Sequence, residues 1–190
     1  MLFRSCALQL HKDFRRTGRK TEDIKKIKIR THEAAIRIID KRGPLSNPAD
    51  RDHCIQYMVS VALLFGRLTA ADYEDAVASD PRIDQLRKKI LCVEDKRFTR
   101  DYHAPGKRSI ANALTVEFKD GPKLDEVVCE YPIGHKRRRK EGMPLLVEKF
   151  KTNLARRFPE KQRRAILDLC LDAERLGRTP VNEFTDLMVI

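Results

Sequence analysis

The sequence of 190 residues contains no tryptophan, and aromatic residues make up only 6% of it. Proteins that bind nucleic acid by base stacking need aromatic side chains, and the sequence has neither a zinc-finger nor an RNP-type motif. We therefore expect no nucleic-acid partner. The net charge of +12 is the feature that keeps a basic nucleic-acid-binding module open as an alternative.

Long apolar runs and closely spaced cysteines are also missing from the sequence. No segment approaches the roughly 20 apolar residues that a transmembrane helix requires, so we expect no membrane partner. The five cysteines, at positions 6, 54, 92, 129 and 170, lack the C-x-x-C spacing of zinc and iron–sulfur sites. We expect reduced thiols in an intracellular protein, with no metal and no cofactor.

One apolar segment dominates what is present. Nearly every residue from Cys54 to Phe65 is apolar, Asn47 or Asp50 is a suitable helix cap, and Gly66 is a natural stop. This pattern predicts a single helix from the cap to Phe65 that is buried on all sides. Polar residues gather at its entrance, where they must find partners or line a pocket: Arg51, Asp52, His53, Gln56 and Tyr57.

Alternating patterns elsewhere predict a sheet. Residues 24–31 alternate between isoleucine and basic residues, as a half-buried strand does, and residues 90–93 form a short apolar run. Residues 110–118 and 124–131, separated by a Lys-Asp-Gly-Pro turn, predict an antiparallel hairpin. Residues 94–108 are charged and contain Pro105 and Gly106, which favours a loop.

The remaining segments predict helices. Residues 7–14 are amphipathic, and Asp13 favours a helix over a targeting peptide. One helix is expected from Pro144 to Phe158, and another from Pro159 to about Gly177. The tail from 180 to 190 also has helical spacing. The sequence therefore predicts an α+β fold up to Pro132, followed by helices alone.

Four segments carry a resemblance to a known family. Residues 43–59 read GPLSNPADRDHCIQYMV, 65–75 read FGRLTAADYED, 131–135 read YPIGH and 180–184 read PVNEF. These segments resemble the MmgE/PrpD family, and the resemblance extends over roughly Ala7 to Ile190. It covers only the C-terminal part of the family, whose members are more than twice this length. We therefore expect the chain to be a fragment.

The resemblance implies a fold and a domain organisation. Residues 1–140 would be the lid domain, truncated at its N-terminus, with a chorismate-mutase-like antiparallel sheet and helices. Residues 141–190 would be helices that pack back onto a missing N-terminal helical domain. The cleft between those two bodies would hold the substrate. The full-length enzyme would be a homodimer.

The resemblance also implies a reaction. A hydro-lyase would remove water from 2-methylcitrate, a small tricarboxylate, to give 2-methyl-cis-aconitate in the methylcitrate cycle of propionate breakdown, without an iron–sulfur cluster. The location would be the mitochondrial matrix in a eukaryote and the cytoplasm in a bacterium. Other family activities, such as cis-aconitate decarboxylation, remain alternatives. So does a fragment that only packs against other subunits, and we expect the isolated chain to be inactive.

The site residues follow from the resemblance and from their spacing. The catalytic residues would be Tyr57 and His53, and the substrate-binding residues would be Arg51, Gln56, Gly134 and His135. On a single helix, His53 lies one turn before Tyr57 on the same face. Neighbouring cations could lower the pKa of Tyr57 enough for it to move a proton. Each residue also has a structural alternative. Tyr57 would be a core tyrosine and His53 a structural histidine. Arg51 and Gln56 would form cap pairs with Asp50 or Asp52, and Gly134 and His135 would lie in a solvated basic loop.

Overall fold

The computed structural model describes residues 3–190, which form two compact units that divide between Pro132 and Ile133. The predicted α+β fold is confirmed, since these residues include eleven α-helices and four β-strands. The first unit contains all four strands, and the second is helical, as the sequence predicts. The assignment of residues 1–140 and 141–190 to two domains of a longer protein stays a prediction.

The elements of the first unit alternate between helices and strands. Its helices are α1 (Phe3–Arg16), α2 (Glu33–Ile39), α3 (Pro48–Asp52), α4 (Ile55–Phe65), α5 (Asp75–Ala78), α6 (Pro81–Arg87) and α7 (Lys96–His103). Its strands are β1 (Ile24–Thr31), β2 (Ile90–Glu94), β3 (Asn112–Phe118) and β4 (Val127–Cys129). Short 3-10 helices cover Thr21–Asp23 and Ala70–Tyr73.

The four strands form one mixed sheet with the order β2-β1-β3-β4. The predicted hairpin is confirmed: β3 and β4 are antiparallel, with Asn112 opposite Cys129. The sheet is antiparallel between β1, β3 and β4, as the resemblance implies, but β1 and β2 are parallel, with Ile27 opposite Ile90. The chain between these two strands carries helices α2 to α6, and a parallel pair needs such a long crossover.

The core lies on one face of this sheet. Ile27 and Ile29 of β1 are buried, whereas Lys26 and Lys28 between them are exposed, as the alternation predicts. Helix α1 packs against α4, β3 and β4, and the ring of Phe14 stacks on that of Phe118 with centroids 6.2 Å apart. The buried α4 is thereby held within the same hydrophobic cluster as the inner face of the sheet.

Helix α7 occupies part of the segment predicted to be a loop, so that prediction is wrong. Its cap is Asp95, whose carboxylate accepts hydrogen bonds from the backbone N–H groups of Arg97 (2.9 Å) and Phe98 (3.3 Å). The ring of Phe98 is buried against Ala111 and Ala113. Capping and this buried contact stabilise a helix that is otherwise rich in charged residues.

All regular secondary structure of the second unit is helical. Its helices are α8 (Arg139–Ala155), α9 (Glu160–Leu171), α10 (Ala173–Arg178) and α11 (Val181–Asp186). Helix α8 begins before the expected start, with Pro144 inside it. The helix predicted from Pro159 to Gly177 is two helices, because Asp172 caps α10 by accepting from the Arg175 N–H at 2.9 Å.

Within residues 3–190, no helix combines the length and apolar character needed to cross a bilayer.

Candidate functional site

The polar cluster lies at a break between two helices rather than on one helix. Asn47 caps α3, its side chain accepting from the Asp50 N–H at 2.9 Å. His53 ends α3, and Cys54 is extended (φ −123°, ψ 109°) before α4 begins. The prediction of a single helix is therefore wrong, and so is the prediction that His53 and Tyr57 share a helical face.

Helix α4 itself is buried as predicted. Every residue from Ile55 to Leu63 is buried, and Gly66 ends the helix in the left-handed region (φ +64°). A Cβ atom at Gly66 would lie 2.7 Å from the His11 Nε2 atom. The Nδ1 atom of the same imidazole lies 2.6 Å from the Leu63 carbonyl oxygen. The end of α4 is thus fixed both by its own turn and by a close contact with α1.

Tyr57 lies inside the first unit, with 2% of its surface exposed. Its hydroxyl donates a hydrogen bond of 2.6 Å to the Asp72 carbonyl oxygen, and its ring stacks on Tyr73 with centroids 6.1 Å apart. Burial raises the pKa of Tyr57 to about 12, which outweighs the lowering effect of Arg51. The neighbouring cation therefore does not lower the pKa of Tyr57 below its ordinary value. At neutral pH the phenol keeps its proton and acts as a donor; its catalytic role stays a prediction.

Arg51 connects α3 to the segment around the 3-10 helix Ala70–Tyr73. Its Nη1 donates to the Tyr73 carbonyl oxygen at 2.7 Å, and its Nη2 lies 2.6 Å from Asp75 Oδ1. The guanidinium is buried, with 8% of its side chain exposed, whereas 87% of the Asp75 side chain is exposed. Arg51 therefore pairs with Asp75 rather than with Asp50 or Asp52 beside it.

Asp72 is a buried residue to which the sequence patterns assign no role. Its carboxylate accepts from the Thr69 N–H at 2.7 Å and from Arg67 Nε at 3.0 Å. The signal for this cap was the spacing of Thr69 and Asp72, three residues apart at a helix start. The cap holds the turn whose carbonyl oxygen accepts from Tyr57.

Gln56 points its amide to a different part of the unit. Its Nε2 donates to Asp40 Oδ1 and lies 3.7 Å from Cys92 Sγ, and its Oε1 accepts from Cys54 Sγ at 3.4 Å. Gln56 is buried and connects α4 to the residue that follows α2. The polar ends of Gln56 and Tyr57 thus have separate partners, and the structure does not bring them together.

His53 and Asp52 are the exposed members of the cluster. Their side chains are 59% and 48% exposed, respectively. The His53 Nδ1 atom contacts the Asp52 carboxylate and lies 3.2 Å from the Ala49 carbonyl oxygen. This pair is the part of the cluster that a molecule outside the first unit can reach.

Gly134 and His135 belong to the second unit. Gly134 is exposed, and His135 precedes a 3-10 helix over Lys136–Arg138, its Nδ1 accepting from the Arg137 N–H at 3.1 Å. Arg138 forms an ion pair of 2.6 Å with Glu141. The basic run therefore includes capping and paired residues, and it leads directly into α8.

The described residues offer no ready metal site. Across residues 3–190, no three of the histidine, cysteine, aspartate and glutamate side chains are grouped to hold a metal ion. All five cysteines are free thiols. Burial raises the pKa of Cys92 to about 12, so this thiol stays protonated and unreactive.

Comparisons with known proteins agree with the motifs. The MmgE/PrpD C-terminal domain matches residues 5–173. The chain is 69% identical to 2-methylcitrate dehydratase of Cupriavidus necator and 64% identical to that of Salmonella typhimurium, in both cases over 97% of this chain and 38% of the relative. It is 55% identical to the mitochondrial 2-methylcitrate dehydratase of Yarrowia lipolytica, over 96% of this chain and 35% of the relative.

These relatives set both the family and the extent of the match. The chain spans little more than a third of the length of the relatives it matches. Within that third, the family domain covers most of the chain, including the cluster from Arg51 to Tyr57. The chain belongs to the MmgE/PrpD family.

Proposed function

We propose that a protein of the relatives' full length, containing this chain, removes water from 2-methylcitrate to give 2-methyl-cis-aconitate. It would act as a hydro-lyase in propionate breakdown by the methylcitrate cycle, without an iron–sulfur cluster. The observation that carries this proposal is the identity of 64–69% over 97% of the chain to relatives named 2-methylcitrate dehydratase. Identity at this level is a stronger guide to activity than a shared fold.

The elimination needs a base for a carbon-bound proton and an acid for the leaving hydroxyl group. In this proposal His53 is the base, because its imidazole is exposed at the surface of the first unit. Tyr57 is the acid, because a pKa of about 12 keeps its proton in place at neutral pH. Its hydroxyl must exchange the Asp72 carbonyl oxygen for the substrate, and that requires the turn at Ala70–Tyr73 to move.

The proposed substrate contacts are Arg51, Gln56, Gly134 and His135. Arg51 already forms an ion pair with the exposed carboxylate of Asp75, and a substrate carboxylate would take the same place on the guanidinium. The Gln56 amide would likewise release the Asp40 carboxylate and donate to a substrate carboxylate instead. The net charge of +12 favours capture of a molecule with three negative charges.

The remaining parts of the proposal concern assembly and location. Residues 1–140 act as the lid, and residues 141–190 pack onto an N-terminal helical domain in a homodimeric enzyme. Apolar side chains left exposed in the second unit support such packing: Met143, Leu145, Leu146, Leu171 and Val181. The protein works inside the cell, in the mitochondrial matrix of a eukaryote or the cytoplasm of a bacterium; one relative is named as mitochondrial.

A chimeric enzyme tests the proposal. The N-terminal portion of the Cupriavidus necator 2-methylcitrate dehydratase is joined to this chain, which replaces the relative's matching C-terminal segment. We expect the chimera to convert 2-methylcitrate to the conjugated product, followed by ultraviolet absorbance, and the isolated 190-residue chain to show no turnover. The unaltered relative is the positive control.

Two outcomes would contradict the proposal. The first is a folded chimera that leaves 2-methylcitrate unchanged. The second is a chimera that instead releases carbon dioxide from cis-aconitate, which would favour the decarboxylase alternative. Substantial turnover by the isolated chain would contradict the expectation that the fragment holds only one wall of the active site.

A further inference from the structure

The contacts of His53 restrict where its imidazole carries a proton. The Nδ1 atom contacts the Asp52 carboxylate and lies 3.2 Å from the Ala49 carbonyl oxygen. Both partners are acceptors that have no proton to donate. In the neutral imidazole, Nδ1 must therefore be the protonated nitrogen, and the lone pair is on Nε2.

The other end of the ring is open. The His53 side chain is 59% exposed, and none of the described residues forms a hydrogen bond with its Nε2 atom. A base must present a lone pair to the proton that it removes. The Asp52 contact thus prepares the exposed nitrogen for that task without occupying it.

Two other histidines of the first unit have different hydrogen-bond partners, so the arrangement at His53 follows from its own surroundings. His32 is buried, and its Nδ1 accepts from the Ala35 N–H at 3.2 Å, which places the proton on Nε2. His11 has its Nδ1 2.6 Å from the Leu63 carbonyl oxygen, which places the proton on Nδ1. His53 shares the tautomer of His11, but its partners include a carboxylate and its side chain is exposed.

We propose that Asp52 is a positioning residue, which orients His53 and holds it as the Nδ1–H tautomer so that Nε2 receives the carbon-bound proton of the tricarboxylate. Asp52 itself does not touch the substrate. The proton moves from the substrate carbon to Nε2, the electrons of the broken C–H bond form the new double bond, and the hydroxyl group takes the phenolic proton of Tyr57 and leaves as water. The catalytic part of this inference rests on the proposed function; the tautomer does not.

The tautomer is tested in the 190-residue chain by 15N NMR of its histidines at about pH 8.5, where an ordinary histidine is neutral. We expect His53 and His11 to give the Nδ1–H pattern and His32 the Nε2–H pattern. Asp52→Ala should reduce the Nδ1–H share of His53, because only the Ala49 carbonyl oxygen remains as a partner. A His53 spectrum with the proton on Nε2, or one that Asp52→Ala leaves unchanged, would overturn the inference.

The positioning role is tested in the chimeric enzyme. Asp52→Ala should lower kcat about 10- to 100-fold while KM changes less than about threefold, because only the proton transfer is impaired. Asp125→Ala, which removes another exposed carboxylate of the same unit, should leave both constants unchanged. Equal kcat in the Asp52→Ala variant and the parent chimera would refute the role of Asp52. Loss of all turnover in the parent chimera would instead refute the proposed function, whatever the NMR result.

Discussion

The phenol of Tyr57 donates its hydrogen bond to the backbone carbonyl of Asp72, at 2.6 Å, across the interval between α4 and the turn at Ala70–Tyr73. The same turn receives Arg51 through the Tyr73 carbonyl oxygen, 2.7 Å from Nη1. Two polar residues of the family motif therefore hold one backbone turn. A movement of this turn that frees Tyr57 for a substrate would also disturb the contacts of Arg51.

Tyr57→Phe separates the catalytic role of the hydroxyl from its structural role. In the chimeric enzyme we expect kcat to fall about 100-fold or more, because an acid–base residue contributes at least that much. Loss of the buried hydrogen bond should also lower the free energy of unfolding by about 1 kcal/mol. Both quantities are measured, by steady-state kinetics and by urea unfolding.

Tyr102→Phe is the matched control for that change. It removes another phenol hydroxyl of the first unit but keeps the ring that stacks on His32 with centroids 4.2 Å apart. We expect near-normal turnover from this variant. If Tyr57→Phe also retained normal turnover, Tyr57 would be a structural residue that only supports the turn.

Arg51→Lys should destabilise the first unit although it conserves the charge. A single ammonium group cannot reproduce the paired contacts of the guanidinium with the Tyr73 carbonyl oxygen and Asp75. We expect the free energy of unfolding to fall by about 1.5–3 kcal/mol, the usual range for a hydrogen bond to a charged group. Arg37→Lys, at an exposed arginine paired with Glu33 at 3.6 Å, should change it by less than about 0.5 kcal/mol. Equal losses in the two variants would contradict the importance of the buried network.

Gly66→Ala tests the close contact at the end of α4. The glycine has φ of +64°, and a Cβ atom would lie 2.7 Å from His11 Nε2. Gly18 has a similar φ of +68° with nothing within 4 Å of its Cβ position, so Gly18→Ala measures the backbone penalty alone, about 1–2 kcal/mol. We expect Gly66→Ala to cost about 1 kcal/mol more in thermal or urea unfolding, because the His11 imidazole must leave its contact with the Leu63 carbonyl oxygen to make room.

The double variant Gly66→Ala with His11→Ala provides the check. Removal of the imidazole removes the clash but also the contact with the Leu63 carbonyl oxygen. The two changes should therefore be non-additive, with the second costing less in the presence of the first. Strict additivity would mean that the contact with His11 does not cause the penalty.

His32 predicts a pH dependence of stability. Burial, with a smaller effect of His103, lowers the pKa of this imidazole in the folded protein, and Glu33 opposes the shift only weakly. The unfolded chain then binds a proton at a higher pH than the folded one. The stabilisation is complete above the ordinary pKa of about 6.5 and is lost as pH falls towards and through the lowered value.

The matched variant is His32→Asn, because asparagine is a good helix cap and does not titrate in this range. We expect the free energy of unfolding of the parent chain to fall by up to about 1.4 kcal/mol per pH unit below pH 6.5, more steeply than that of the variant. Urea titrations between about pH 5 and 7.5 measure the difference. Parallel profiles for the two proteins would show that His32 does not contribute.

Several elements could be predicted from local sequence alone. The alternation in residues 24–31 predicts β1. Gly66 marks the end of α4, where a positive φ favours glycine. In each case the determinant is the residue itself or a neighbour a few positions away, so no distant contact is needed.

Other elements depend on contacts between distant parts of the chain. The parallel pairing of β2 with β1 joins residues about 63 positions apart, such as Ile27 and Ile90, and no local pattern shows the direction of such a pair. Helix α7 was missed because its charged sequence resembles a loop until Asp95 caps it and Phe98 is buried. Packing, rather than helix propensity, stabilises this segment.

The candidate site shows the same division. The sequence by itself determined that polar residues gather at the entrance of an apolar helix and that the chain resembles its family there. Only the tertiary structure decided which of them are available: Tyr57 and Arg51 face inward to the turn near Asp72, whereas Asp52 and His53 remain exposed. The reason is the extended backbone at Cys54, which breaks the helix and separates His53 from Tyr57. Partners far along the chain decide the direction of each side chain, and spacing along a single helix cannot show them.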